Sequence, residues 1–148
     1  MVKKEGKKMV SDELSKSVIF PKGNKVEGEL KKYFLGDAWV EMLVMDMEFN
    51  CPVYNVTFAP RARNSWHSHP GGQILLVTGG RGYYQEEGKS ARLLKAGDVV
   101  KIPPNVKHWH GAAADSWFVH LGITTNPQEG PAQWFEAVSD EHYNKLEV

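Results

Sequence analysis

Two short segments carry most of the side chains able to do chemistry. The run Ser65-Trp66-His67-Ser68-His69-Pro70-Gly71-Gly72-Gln73 sets two histidines two apart and a glutamine four further on. The run Val106-Lys107-His108-Trp109-His110 holds a second such pair. The chain has six histidines, and four lie in these pairs. In a strand, residues i and i+2 share a face. His67 and His69 therefore project together, as do His108 and His110. Gln73 keeps the parity of His69 if Pro70-Gly71-Gly72 leaves the register intact. His120, in the run WFVHLG, shares the parity of Phe118 and is expected to point inward. Imidazoles gathered in an apolar interior either hydrogen-bond to one another and to backbone or bind a metal, because an unpaired polar group there is costly. Two His-x-His pairs with a nearby carbonyl donor favour the metal. Imidazole suits zinc, copper, iron, nickel and similar divalent ions. Trp66 and Trp109, inside the same segments, argue against an exposed, unstructured site.

The elements that must position these residues are strands. PVYNVTFAP alternates and stops at Pro60. QILLVTGGRGYYQEEGKSARLL reads as two strands separated by a Gly-rich turn, with a hairpin tip at Glu86-Glu87-Gly88-Lys89. KAGDVVKIPPNVKHWHGA is a turn, a strand, a Pro-Pro stop and another strand; DSWFVHLGIT is a further strand. Short strands at regular spacing between Gly and Pro turns predict an all-β sandwich or barrel. QILLV is apolar on both faces, so one face lines the interior and the other needs a second sheet or a second subunit. Tyr54, Thr57 and Phe58 read as barrel core, with pocket lining as the alternative. Trp39 and Met42 to Met47 suit either a pocket mouth or a dimer face. Residues 1–31 read as an N-terminal arm and lead-in, with short strands around SVIF; 32–126 as the barrel; 127–148 as a C-terminal segment. Only VSDEHYNKL reads as helical, capped by Ser139 or Asp140 with acidic residues in the first turn.

Composition bounds the partners. A chain of 148 residues suits one domain. Lys+Arg 18 balance Asp+Glu 18, so no global attraction to nucleic acid or anionic membrane is expected. Lys3, Lys4, Lys7 and Lys8 read as a solvated end. No apolar run reaches membrane-span length, and the N-terminus lacks a secretory h-region. Cys51 stands alone, which excludes an intrachain disulfide and suits a reducing, cytoplasmic setting. It is expected to be a small buried residue at the start of a strand, rather than a catalytic thiol.

The two histidine segments resemble the two motifs of the cupin superfamily. His67-Ser68-His69, Gln73 and Gly80 match the first; Gly97, Pro103 and His108 match the second. The resemblance covers roughly residues 53 to 123. It implies a single-domain jelly-roll β-barrel with His67, His69, Gln73 and His108 as metal ligands. Arg61 and Asn105 stand where the motifs have glycine, and Ala112 where they have asparagine. Gln73 stands where most cupins have glutamate. Three imidazoles and an amide oxygen are all neutral, so the metal keeps its full charge and polarises a bound carbonyl, nitrile or water more strongly. The chain is similar in particular to small bacterial cupins related to carboxymuconolactone decarboxylase-associated proteins, some of which are manganese-dependent hydroxynitrile lyases. Trp134, Phe135, Ser139, Asp140, Glu141 and Tyr143 extend that resemblance into the tail.

The resemblance implies a divalent cofactor, with manganese favoured and iron, zinc and nickel open. It implies a Lewis-acid enzyme on a small organic substrate, with His110 and His120 beside the metal to handle protons. Histidine titrates near neutrality, which suits that task. A structural role for His120, and orientation of His108 by His110, are the competing readings. A cupin dioxygenase with a redox-active ion and a non-catalytic binding cupin are the rival functions. Cupins are often dimers, so a homo-oligomer, dimer or higher, is expected.

Overall fold

Glycine and proline punctuation cuts the chain into short β-rich runs. The computed structural model describes residues 18–146 as antiparallel strands in a curled sheet. The N-terminal lysines and Ser17 of SVIF lie outside the described residues; 18–20 form no strand. The first strand is β1 (Asn24–Lys25), followed by β2 (Phe34–Leu35), β3 (Ala38–Val44) and β4 (Val53–Phe58). Then come β5 (Arg63–Asn64), β6 (His67–Ser68), β7 (Gln73–Glu86), β8 (Arg92–Lys95) and β9 (Val99–Ile102). β10 (His108–Ala112), β11 (Phe118–Thr124) and β12 (Gln133–Trp134) complete the set. The all-β expectation holds.

The strand β7 is the corner of the fold. Its first half pairs with β11 and β9, and its second half with β10 and β8. QILLV and RGYYQE are therefore one 14-residue strand, not two runs separated by a turn. The glycines between them bend the strand instead of ending it. Gly80 has φ +68, and a Cβ there would lie 1.7 Å from the Trp117 carbonyl oxygen. Only glycine lets the strand coil this close to its neighbour. The expected hairpin tip is present, with Gly88 at φ +82 between β7 and β8.

One half of the sheet runs β1-β3-β4-β11-β7-β9, the other β2-β5-β10-β7-β8 with β6 between β10 and β12. Phe58, Leu75, Leu94, Val100 and Phe118 fill the space they enclose. Burying each contributes about 2–3 kcal/mol. β10 is covered on both faces. His108, His110 and Ala112 face inward, and Trp109 faces out into a second cluster with Tyr83, Val138 and Tyr143. The C-terminal segment is pinned there by the buried Arg63. Its Nε and Nη2 donate to the Val138 carbonyl at 3.1 and 2.7 Å, and Nη2 also meets Asp140 Oδ1 at 2.8 Å.

The expected helix forms as α1 (Asp140–Asn144). Ser139 caps it by accepting from the His142 N–H at 3.0 Å. Cys51 is half-buried, not buried, because it sits in the loop before Pro52 and outside the β4 register. Among the described residues, no helix is long and apolar enough to cross a membrane.

Candidate metal centre

Strand pairing brings the two histidine segments together. β6 runs antiparallel to β10, and His67 lies directly across from His108. Their ring centroids are 4.2 Å apart. His69 follows β6, with its ring 5.1 Å from His67 and 5.6 Å from His108. The Pro70-Gly71-Gly72 turn returns the chain with Gly72 at φ +92, and Gln73 opens β7 on the same cavity. Its parity with His69 therefore survives the turn. His110 lies two residues along β10, 5.5 Å from His67. His120 enters from β11 in the other half of the sheet, 4.8 Å from His110 in an edge-on contact. All six predicted site residues thus reach one interior region. His110 lines the cavity; His120 sits behind it, fully buried beside Phe58 and Phe118.

Backbone carbonyls set the tautomers. His67 Nδ1 donates to the Ser65 carbonyl at 2.8 Å, and His108 Nδ1 to that of Val106 at 2.8 Å. His120 Nδ1 donates to Leu121 at 3.1 Å. Each neutral ring is left with Nε2 as a lone-pair donor. Four buried atoms in this region have no hydrogen-bond partner among the described residues: His69 Nε2, Gln73 Oε1, His108 Nε2 and His120 Nε2. Orphaned acceptors are rare in a core. The first three belong to the ligand set that the cupin resemblance implies, so the residues fit a bound cation.

A cluster of three histidines among the described residues overlaps that set without matching it. One ligand atom from each of His67, His108 and His110 lies within 4.8 Å of the others. His110, however, is already engaged: Asn64 Nδ2 is 3.3 Å from its Nδ1 and 3.2 Å from its Nε2, while Asn64 Oδ1 accepts the His110 backbone N–H at 2.9 Å.

Electrostatics agree with a cation site that holds its histidines neutral. Burial pushes His69, His108 and His120 down to about 4. Burial and then the neighbouring imidazoles hold His67 and His110 well below the usual histidine range. An unprotonated imidazole is the form that ligates a metal.

The cavity beside these rings measures about 290 Å³. Leu30, Phe34, Val40, Met42, Val56 and Trp134 form its apolar wall. Among the described residues, no Lys, Arg, Asp or Glu lines it. Tyr54 lines it too, whereas Phe58 is core and Thr57 faces the other side of β4. Met42 is the one residue of the early Met-rich stretch that reaches the cavity. Sequence reasoning missed Asn64, Thr124 and Leu30, and gave Trp134 no role. Trp134 stacks on His67 at 4.7 Å and on Tyr33 at 4.4 Å. None of these residues sits in a periodic pattern that would single it out.

A Cupin domain family model matches residues 54–121. An (R)-mandelonitrile lyase from Granulicella tundricola is 45% identical over 91 residues, which cover 62% of this chain and 70% of that protein. The chain belongs to the cupin family. A cupin-like protein from Thermotoga maritima, known as a crystal structure, is 56% identical to this cupin with a TM-score of 0.83. That match covers 87% of this chain and 96% of the other. A cupin 2 conserved barrel domain protein from Rhodopseudomonas palustris, 16% identical, shares the fold at a TM-score of 0.67 over 82% of this chain and 87% of its own. The two motif departures keep the glycine conformation: Arg61 has φ +70 and Asn105 has φ +65. Asn adopts that region readily. At Arg61 the backbone N–H donates to the Ala113 carbonyl at 3.1 Å, and its carbonyl accepts from Arg63 Nη1 at 3.2 Å.

Proposed function

We propose that this cupin is a metal-dependent lyase that cleaves small neutral α-hydroxynitriles. The reading rests on one observation: three unpartnered donor atoms, from His69, Gln73 and His108, gathered with His67 beside a cavity that no charged side chain among the described residues lines. The 45% identity to an (R)-mandelonitrile lyase supports it. A divalent ion held by His67, His69, Gln73 and His108, with manganese favoured, supplies Lewis acidity toward the substrate oxygen when bound.

The chain's own residues do the rest. Leu30, Phe34, Met42 and Trp134 hold the apolar body of the substrate and exclude water from it. The absence of a cationic side chain among the lining residues disfavours carboxylate substrates. His110, on the cavity wall and held neutral by burial, takes the hydroxyl proton at a ring nitrogen. The C–C bond breaks, the aldehyde forms, and the departing cyanide recovers that proton. Asn64 fixes the His110 ring, and His120 supports it from behind. The assembly proposed is a homo-oligomer, in a reducing, cytoplasmic setting that suits a lone cysteine.

Mandelonitrile cleavage to benzaldehyde by manganese-loaded protein tests the reading. The controls are metal-stripped protein and His67→Ala. Turnover at least tenfold above both is expected. No turnover by protein with metal demonstrably bound would overturn the lyase assignment.

A further inference from the structure

Gln73 has to present the right end of its carboxamide. The two ends differ only in chemistry: the oxygen is a ligand, and the NH2 repels a cation. Nothing in the Gln73 backbone decides between them. The deciding contacts come from β4 and β11. Gln73 Nε2 donates to the Tyr54 hydroxyl oxygen at 2.5 Å, and that hydroxyl is 3.2 Å from Thr124 Oγ1. Gln73 Oε1, the other end of the same group, is buried without a partner.

The register builds this arrangement. Thr124 lies opposite Gln73 on β11, and Gly122 lies opposite Tyr54. A Cβ at Gly122 would stand 2.2 Å from Tyr54 Cε2, so the tyrosine ring lies across a position that must be glycine. Gly122 makes room for the ring, and the ring carries the hydroxyl to Gln73.

We infer that Tyr54 and Thr124 are positioning residues that set the carboxamide of Gln73 oxygen-inward for the metal. The 3.2 Å contact lets Thr124 Oγ1 accept the Tyr54 proton. Tyr54 then has only a lone pair to offer, and only the NH2 end of Gln73 can meet it. The oxygen is left facing the site. A glutamate ligand would need no such device, because both of its ends accept; the glutamine makes the tyrosine necessary. This inference rests on the metal-centre reading above.

The test is Co2+ binding to the metal-stripped full chain, by visible absorption and chelator competition, in a double-mutant cycle. Tyr54→Phe is expected to weaken Co2+ binding by about tenfold or more, the usual effect of losing a group that orients a ligand, and to change the absorption envelope. Gln73→Ala weakens it too. In the Gln73→Ala background, Tyr54→Phe is expected to change affinity by less than about twofold. Unchanged affinity for Tyr54→Phe alone, or an equal loss in both backgrounds, would overturn the inference. Thermal unfolding of the metal-free variants checks that each folds. If Tyr54→Phe does not fold, Thr124→Val replaces it in the same cycle, with a loss confined to the Gln73 background expected. No Co2+ binding by the unsubstituted protein would bring down the metal reading itself and the inference with it.

Discussion

The histidines of this cupin are unusual because they are neutral by construction. Each of His67, His108 and His120 spends its Nδ1–H on a backbone carbonyl and keeps a lone pair on Nε2. His69, His108 and His120 titrate at about 4 when folded, against an ordinary value of 6.5, with burial as the main cause. The unfolded chain therefore binds protons that the folded chain refuses. Stability from these groups is complete above about pH 6.5 and falls as the pH drops toward 4. Urea unfolding of metal-free protein at pH 7.5 and pH 5 measures this. A loss on the order of 1–2 kcal/mol per histidine is expected at pH 5. An unchanged midpoint would show that the rings are not held neutral.

At the scale of elements, β7 does what a turn was expected to do. It carries Gln73 at the site in one half of the sheet and Tyr84, opposite His110, in the other half. The bend between them depends on Gly80, where left-handed backbone and the Trp117 carbonyl leave no space for a side chain. Gly80→Ala combines strained backbone with a collision against main chain. It is expected to cost more than about 4 kcal/mol and to leave little soluble folded protein. Denaturant unfolding would decide it, and native-like stability would mean that the corner bends elsewhere. The sequence marked the glycines as special. Its local reading is a turn, and the pairing of β7 with both β11 and β10 makes it a bend within one strand.

For the molecule as a whole, the outer face of the sheet carries a row of apolar side chains. Ile74, Leu76, Leu121 and Ile123 lie side by side on the outer side of β7 and β11 and are half-buried; neighbouring Val99 is exposed. Apolar side chains in such a row favour a partner surface. A second copy of this chain is the proposed partner. Light scattering at micromolar concentration is expected to give at least twice the 16.7 kDa chain mass, and Leu76→Lys to lower it. A monomeric native protein would rule this assembly out.

The sequence by itself determined the strand-rich class, a short C-terminal helix capped at Ser139 or Asp140, and the histidines that could serve a metal. Those signals are local: alternation decides faces, and Gly, Pro and Ser decide turns and caps. The tertiary structure alone decided that His67 stands opposite His108, that Asn64 holds His110, that Leu30 and Trp134 line the cavity, and that Tyr54 meets Gln73. Each of these is a contact between residues far apart in sequence. It exists only once strand register is fixed, and register depends on burying one whole face of every strand at once. Which polar atoms remain unpartnered is a property of that packing, so no run of residues could announce it.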